Sequence, residues 1–179
     1  IPYEGIYGAQ LVTSYALAAA RHMHEYGTTR EQLAEVAVAA RAWAQLNPLA
    51  MRREPLTVRD VLSSRMVSIP LTVSDCCLIC DAGGAVIMTR ADRAKDLPRK
   101  PVYLLGVAAE HSHQQIAQME DLTVTGAARS GPRGFAMAGL TPKDVDVLAL
   151  YDAFTINTIL FLEDLGFCRK GEGGAFVSG

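Results

Sequence analysis

Two apolar runs at helical spacing, separated only by Gly27-Thr28-Thr29, constrain the early part of this chain to a pair of packed helices. Residues 11–26 bring Tyr15, Ala18, Ala19, His22, Met23 and Tyr26 round at helical intervals. Gly27 follows as the stop, since glycine accepts the left-handed backbone on which helices end. Thr28 with Glu31, or Thr29 with Gln32, then forms the reciprocal capping pattern that starts a second helix. Leu33, Val36, Ala37, Ala40 and Ala44 repeat along one face of that helix until Asn47 and Pro48 break it. Thr57 ahead of Val58, Asp60, Val61 and Leu62 marks a short third helix.

Beyond Arg65 the period changes. Residues 66–69 form a short extended run, and the apolar runs 85–89 and 102–107 suit strands, the second of them buried. Residues 124–138 are rich in small side chains and predict a helix despite Gly131 and Pro132. Thr141-Pro142-Lys143-Asp144 places a cap, a proline at the first helical position and an acid in the first turn. Residues 145–150 then predict a buried strand. Residues 154–165 predict a closing helix, with Ile156, Ile159, Leu160 and Leu162 apolar and Gly166 at its end. Strands alternating with helices place the chain in the α/β class.

Composition excludes several function classes. A chain of 179 residues, 50% hydrophobic and 20% charged, can bury a core of its own. A net charge of −2 supplies no basic footprint for phosphate contact, so nucleic acid is not an expected partner. No apolar run approaches the roughly 18 residues of a membrane span, and no basic segment leads into an apolar one at the start. The expected setting is cytoplasmic. Cys76, Cys77, Cys80 and Cys168 are too few and too clustered for a disulfide framework, which fits a reducing compartment. A start at Ile1 without Met and a stop at Gly179 in a glycine-rich stretch raise the expectation of a fragment.

Two motifs carry a resemblance. Cys76-Cys77-Leu78-Ile79-Cys80-Asp81-Ala82-Gly83-Gly84-Ala85-Val86 resembles the loop-and-strand signature of thiolases, and Tyr151-Asp152-Ala153-Phe154 resembles their N-E-A-F motif. Ser74-Asp75-Cys76-Cys77 brings the chain closer to the sterol-carrier-protein-x and lipid-transfer-protein branch, whose motifs read D-C-C-x-x-C-D and H-D-C-F or Y-D-x-F. Tyr26-Gly27-Thr28-Thr29-Arg30, Asn47-Pro48, Leu56-Thr57, Ser64-Arg65-Met66 and Leu165-Gly166-Phe167-Cys168 extend the likeness over nearly the whole chain.

The resemblance implies layered βαβαβ halves with an inserted helical loop domain, neither half complete. Residues 1–70 would be the loop domain, 71–98 the last strand and helix of the first half, and 99–179 the first part of the second half. It implies a C-acyltransferase acting on acyl-CoA thioesters, with coenzyme A as a substrate moiety and no further cofactor. The family's nucleophilic cysteine would precede Ile1, and its histidine and second cysteine would follow Gly179, so these residues alone are expected to be inactive as a thiolase. Tyr151 stands where thiolases carry Asn and the mammalian sterol-carrier type carries His. There the side chain helps polarise the thioester oxygen as negative charge develops, and a tyrosine could donate to that oxygen or transfer a proton. Members with Y-D-x-F are understood as retro-aldolases on steroid-CoA thioesters, which is the alternative reading. Without the family, a tyrosine ending a buried strand reads as a core residue with a satisfied hydroxyl. A third reading is a noncatalytic, thiolase-like binding subunit. Family habit implies a homo-oligomer or a complex with an OB-fold partner.

By the same motif match, Cys77 would lie near the pantetheine arm, with Gly83 and Gly84 allowing close backbone approach. Cys77 and Cys80 also spell C-x-x-C, but a zinc site needs a second pair of ligands, and no metal is expected. His111 and His113 belong to an exposed loop. His22 and His24 lack the spacing that binds metal from one helix face, and read as partly buried or at a subunit contact. Arg52, Arg53 and Arg59 are candidates for CoA phosphates against a default of solvated surface. Ser130 and Ser178 form no nucleophile elbow, and residues 171–174 lack the ending of a phosphate-binding loop and read as loop.

Overall fold

Gly27 takes φ 72° and its N–H returns to the Met23 carbonyl, ending α1 (Leu11–Tyr26) where the sequence places the stop. The computed structural model describes residues 5–7 and 10–179; the opening of the 1–70 division, Ile1 included, falls partly outside them. Of the two possible capping pairs, Thr29 and Gln32 start α2 (Arg30–Leu46), each side chain bonded to the other's backbone N–H. Thr28 is turned inward, its hydroxyl 2.8 Å from His22 Nδ1. Thr57 and Asp60 cap α3 (Val58–Ser63) in the same way. The strands β1 (Met66–Ser68) and β2 (Leu71–Thr72) then pair antiparallel, with Met66 opposite Thr72 and Ser68 opposite Leu71.

Further along lie α4 (Ala91–Ala94), α5 (Ala127–Ala138), α6 (Thr155–Asp164) and α7 (Gly173–Ser178). Pro132 sits inside α5, and Gly139, φ 68°, closes it. The cap at Thr141 and Asp144 starts only a single 3₁₀ turn, Pro142–Asp144. α6 is apolar round most of its circumference and is accordingly buried on most sides. Its Ile156, Ile159 and Leu160, with Ala153 and Phe154 before it, meet Ala16 and Ala19 of α1, Leu33 and Val36 of α2, and Leu71. Tyr15 stacks on Phe154 with ring centroids 4.4 Å apart. The core is therefore assembled from the two ends of the chain.

Several expectations need correction. Residues 85–89, 102–107 and 145–150 form no strands among the described residues, and they are not buried: Ile87 is 93% exposed, Val102 98% and Val147 86%. A strand is defined by ladder partners that its own sequence cannot supply. Residues 102–107 nonetheless lie against α5, because a Cβ built on Gly106 would strike the Gly134 carbonyl oxygen. Residues 173–178, read as loop, form α7.

His22 is fully buried rather than partly so. Both ring nitrogens find partners, Nδ1 at Thr28 and Nε2 at the Glu163 carboxylate, 3.0 Å from Oε2. Glu163 also accepts from the Gly173 N–H at 2.9 Å and lies 3.2 Å from Lys170 Nζ. Lys170 continues to Asp164 at 2.6 Å and to the Thr123 carbonyl at 2.7 Å. Asp164 in turn accepts from the Thr125 N–H and hydroxyl, just before α5. One polar chain thus ties α1, α5, α6 and α7 together. Burial by itself would raise the Glu163 carboxyl, but the hydrogen bonds from His22 and Gly173 outweigh it and hold the group below its ordinary range.

Candidate functional site

The two motifs singled out in the sequence meet in space. Thr72-Val73-Ser74-Asp75 makes a 3₁₀ turn in which Asp75 Oδ2 accepts from the Thr72 N–H at 2.8 Å and the Thr72 hydroxyl at 2.7 Å. The other oxygen of Asp75 accepts from the Thr155 hydroxyl at 2.8 Å, so a buried carboxylate spans from this turn to the start of α6. Backbone pairing completes the junction: Cys76 and Phe154 form an antiparallel bridge, and the Cys77 N–H donates to the Ala153 carbonyl at 2.9 Å. The segment from Asp75 to Cys77 is therefore held beside Tyr151-Asp152-Ala153-Phe154 by backbone and side-chain bonds together.

A cleft of about 530 Å³ opens at this junction. Val36, Ala40 and Ala44 of α2 form one wall, and Cys76, Cys77, Cys80, Asp152 and Thr155 another. Arg41 and Arg52 stand at its edge. An apolar channel with cations at its rim suits a ligand that is a long flexible arm with anionic groups at one end. Of the three arginines named from sequence, Arg52 reaches the cleft; Arg53 instead donates to the Gln45 carbonyl at 3.3 Å. Arg41, which the sequence reading did not single out, is held there by its bond to the Glu54 carbonyl at 2.8 Å. Its position on the same face as Val36, Ala37, Ala40 and Ala44 was the available signal.

Cys77 lines the cleft with an exposed thiol. Tyr151 neighbours the lining residue Asp152 and is 70% exposed, which removes the reading of a core tyrosine with a satisfied hydroxyl within this chain. Gly83 and Gly84 lie outside the cleft lining; a Cβ on either meets nothing within 4 Å, and neither has positive φ. Nothing in this chain requires glycine there. The Cys76 thiol is pushed up by burial, reinforced by Asp75 and by Cys77. Its hydrogen points to the Thr72 carbonyl, 3.3 Å away. Cys168 is pushed to about 11 by burial and by Glu163 and Glu172. Neither is a poised nucleophile. His111 and His113 are exposed, as expected. Among the described residues, no three His, Cys, Asp or Glu side chains converge as a metal site would require, and no helix is long and apolar enough to cross a membrane.

With this geometry in hand, the similarities to known proteins are informative. Residues 108–179 match the family described as Thiolase C-terminal domain-like. An acetyl-CoA acetyltransferase from Methanothermobacter thermautotrophicus is 45% identical, over 99% of this chain and 47% of its own length. A steroid side-chain-cleaving aldolase from Thermomonospora curvata is 37% identical, over 91% of this chain and 43% of its own. A solved structure, the Ltp2-ChsH2(DUF35) aldolase, superposes with a TM-score of 0.82 at 32% identity, covering 92% of this chain and 45% of that one. The chain spans about half the length of the curated relatives it matches.

Proposed function

The chain belongs to the thiolase superfamily and shares its layered α/β fold, and on that premise we propose that the polypeptide carrying it makes or breaks a carbon-carbon bond in an acyl-CoA thioester. The observation that carries the reading is the junction of Asp75-Cys76-Cys77 with Tyr151-Asp152-Ala153-Phe154 beside a cleft edged by Arg41 and Arg52. In this reading the cleft takes the coenzyme A arm, with Cys77 beside the pantetheine and the arginines facing its phosphates. Gly83 and Gly84 belong to the same segment and would matter where further chain approaches them. Residues 1–70 act as the helical loop domain, 71–98 as the end of the first half and 99–179 as the opening of the second.

Tyr151 decides the reaction. In thiolysis the cleaved bond lies between the α and β carbons of a 3-ketoacyl group, and the electrons pass to the thioester enolate; a hydroxyl at Tyr151 donates to that oxygen. In the retro-aldol alternative the substrate bears a β-hydroxyl. Its proton passes to a base, the carbonyl forms, the α–β bond breaks, and the resulting enolate is protonated; Tyr151 handles the proton. The exposure of its side chain favours a role at a substrate over a place in the core. A noncatalytic binding subunit remains the third reading. The similar aldolase structure is named for two components, which supports a complex with a second subunit, an OB-fold protein in our reading, or a homo-oligomer. The proposed setting is cytoplasmic.

The test offers the full-length protein a 3-ketoacyl-CoA with CoA, and separately a 3-hydroxy steroid-CoA, with and without Tyr151→Phe. Thiolysis that survives the substitution makes Tyr151 structural. Cleavage of the hydroxy substrate alone, lost in Tyr151→Phe, makes the protein a retro-aldolase. Turnover of neither substrate leaves the binding-subunit reading and refutes the enzyme.

A further inference from the structure

A second cleft, of about 450 Å³, shares no lining residue with the one at Cys77. It lies between the early turns of α1, the segment around residues 113–122 and α6, with Tyr15, Ile116, Met119, Leu160 and Phe161 as its apolar walls. Asn157 also lines it. This asparagine is 3% exposed, in the first turn of a helix whose neighbouring side chains are apolar. Its Oδ1 is sequestered from solvent and has no hydrogen-bond partner among the described residues. Folded proteins rarely leave such an acceptor unpaired, because a buried amide oxygen without a donor loses its hydration and gains nothing. An apolar residue would serve better at this position if packing were its only task.

The cleft therefore combines walls that favour an apolar body with one buried acceptor lacking a donor, and its volume is within the range of small-molecule sites. We propose that it binds an apolar group bearing a hydroxyl, the hydroxyl donating to Asn157 Oδ1. Resting on the function proposed above, that group is part of the acyl moiety of the CoA thioester, and Asn157 is a specificity residue that separates hydroxylated acyl groups from their deoxy counterparts. A site with an unpaired polar group rejects the deoxy ligand more strongly than an apolar site rejects an added hydroxyl.

The experiment measures binding of 2-naphthol and of naphthalene to the full-length protein by calorimetry, in the unsubstituted form, in Asn157→Leu and in Ser14→Phe. Ser14 lines the same cleft, and phenylalanine there fills it. The expected result is about tenfold tighter binding of 2-naphthol, a preference that disappears in Asn157→Leu, and loss of both ligands in Ser14→Phe. Equal affinities for the two probes overturn the proposal, since water or another segment would then satisfy Asn157. Persistence of the preference in Asn157→Leu overturns it too. Should Asn157→Leu fail to fold, naphthol binding unaffected by Ser14→Phe is the refuting result. Turnover of CoA thioesters is read separately: naphthol selectivity without turnover would sink the enzymatic reading and leave the site intact.

Discussion

Replacing Glu163 by leucine strips the buried polar chain of its central carboxylate while keeping a side chain of similar bulk. Glu163 accepts from the Gly173 N–H at 2.9 Å and faces His22 Nε2 at 3.0 Å and Lys170 at 3.2 Å. Lys170 keeps Asp164 and the Thr123 carbonyl, but His22 Nε2 and the Gly173 N–H lose their acceptor inside the protein. Removing one partner of a buried, hydrogen-bonded charge pair costs about 3–5 kcal/mol, most of it from the groups left behind. With a urea dependence of about 2 kcal/mol per molar, the unfolding midpoint should fall by about 2 M. The deficit should depend on pH in a defined direction. The Glu163 carboxyl titrates below its ordinary value of 4.5 when folded, so its stabilisation is complete above that value and is lost as pH falls through the lower, folded one. Urea titrations of both forms from pH 7 down to pH 3 measure this. A midpoint drop under about 0.5 M at pH 7, or a gap between the two forms that fails to narrow on acidification, would refute the reasoning.

Three further outcomes follow from the same geometry. Thr155→Val removes the hydroxyl that donates to buried Asp75; stability should fall by about 1.5–3 kcal/mol, and the KM for a CoA thioester should rise as the Cys77 segment loosens, whereas an unchanged KM would separate that bond from the site. Gly106→Ala should destabilise by about 1–3 kcal/mol in chemical denaturation, because the new methyl meets the Gly134 carbonyl, a backbone atom that cannot swing away. In alkylation with iodoacetamide at pH 8, followed by peptide mass spectrometry, Cys77 and Cys80 should react first, being exposed. Cys168, at about 11 rather than 9.0, carries roughly a hundredfold less thiolate than at the ordinary value, and reaction as fast as that of Cys77 would contradict its burial.

What the sequence determined by itself is what short stretches of chain can settle. The ends of α1, α2 and α3 were readable because Gly27, Thr29 with Gln32, and Thr57 with Asp60 act within a few residues of themselves. The two site motifs were readable as motifs for the same reason. Tertiary structure decided everything that depends on a distant partner. It buried His22 against a glutamate 141 positions away, left residues 85–89, 102–107 and 145–150 without ladders, and placed Asp75 80 positions from the threonine it binds. It also put Asn157 beside an apolar cleft with its acceptor unpaired. A cap is a local hydrogen bond and is written locally; burial, pairing and the meeting of two motifs are properties of which surfaces the fold brings together.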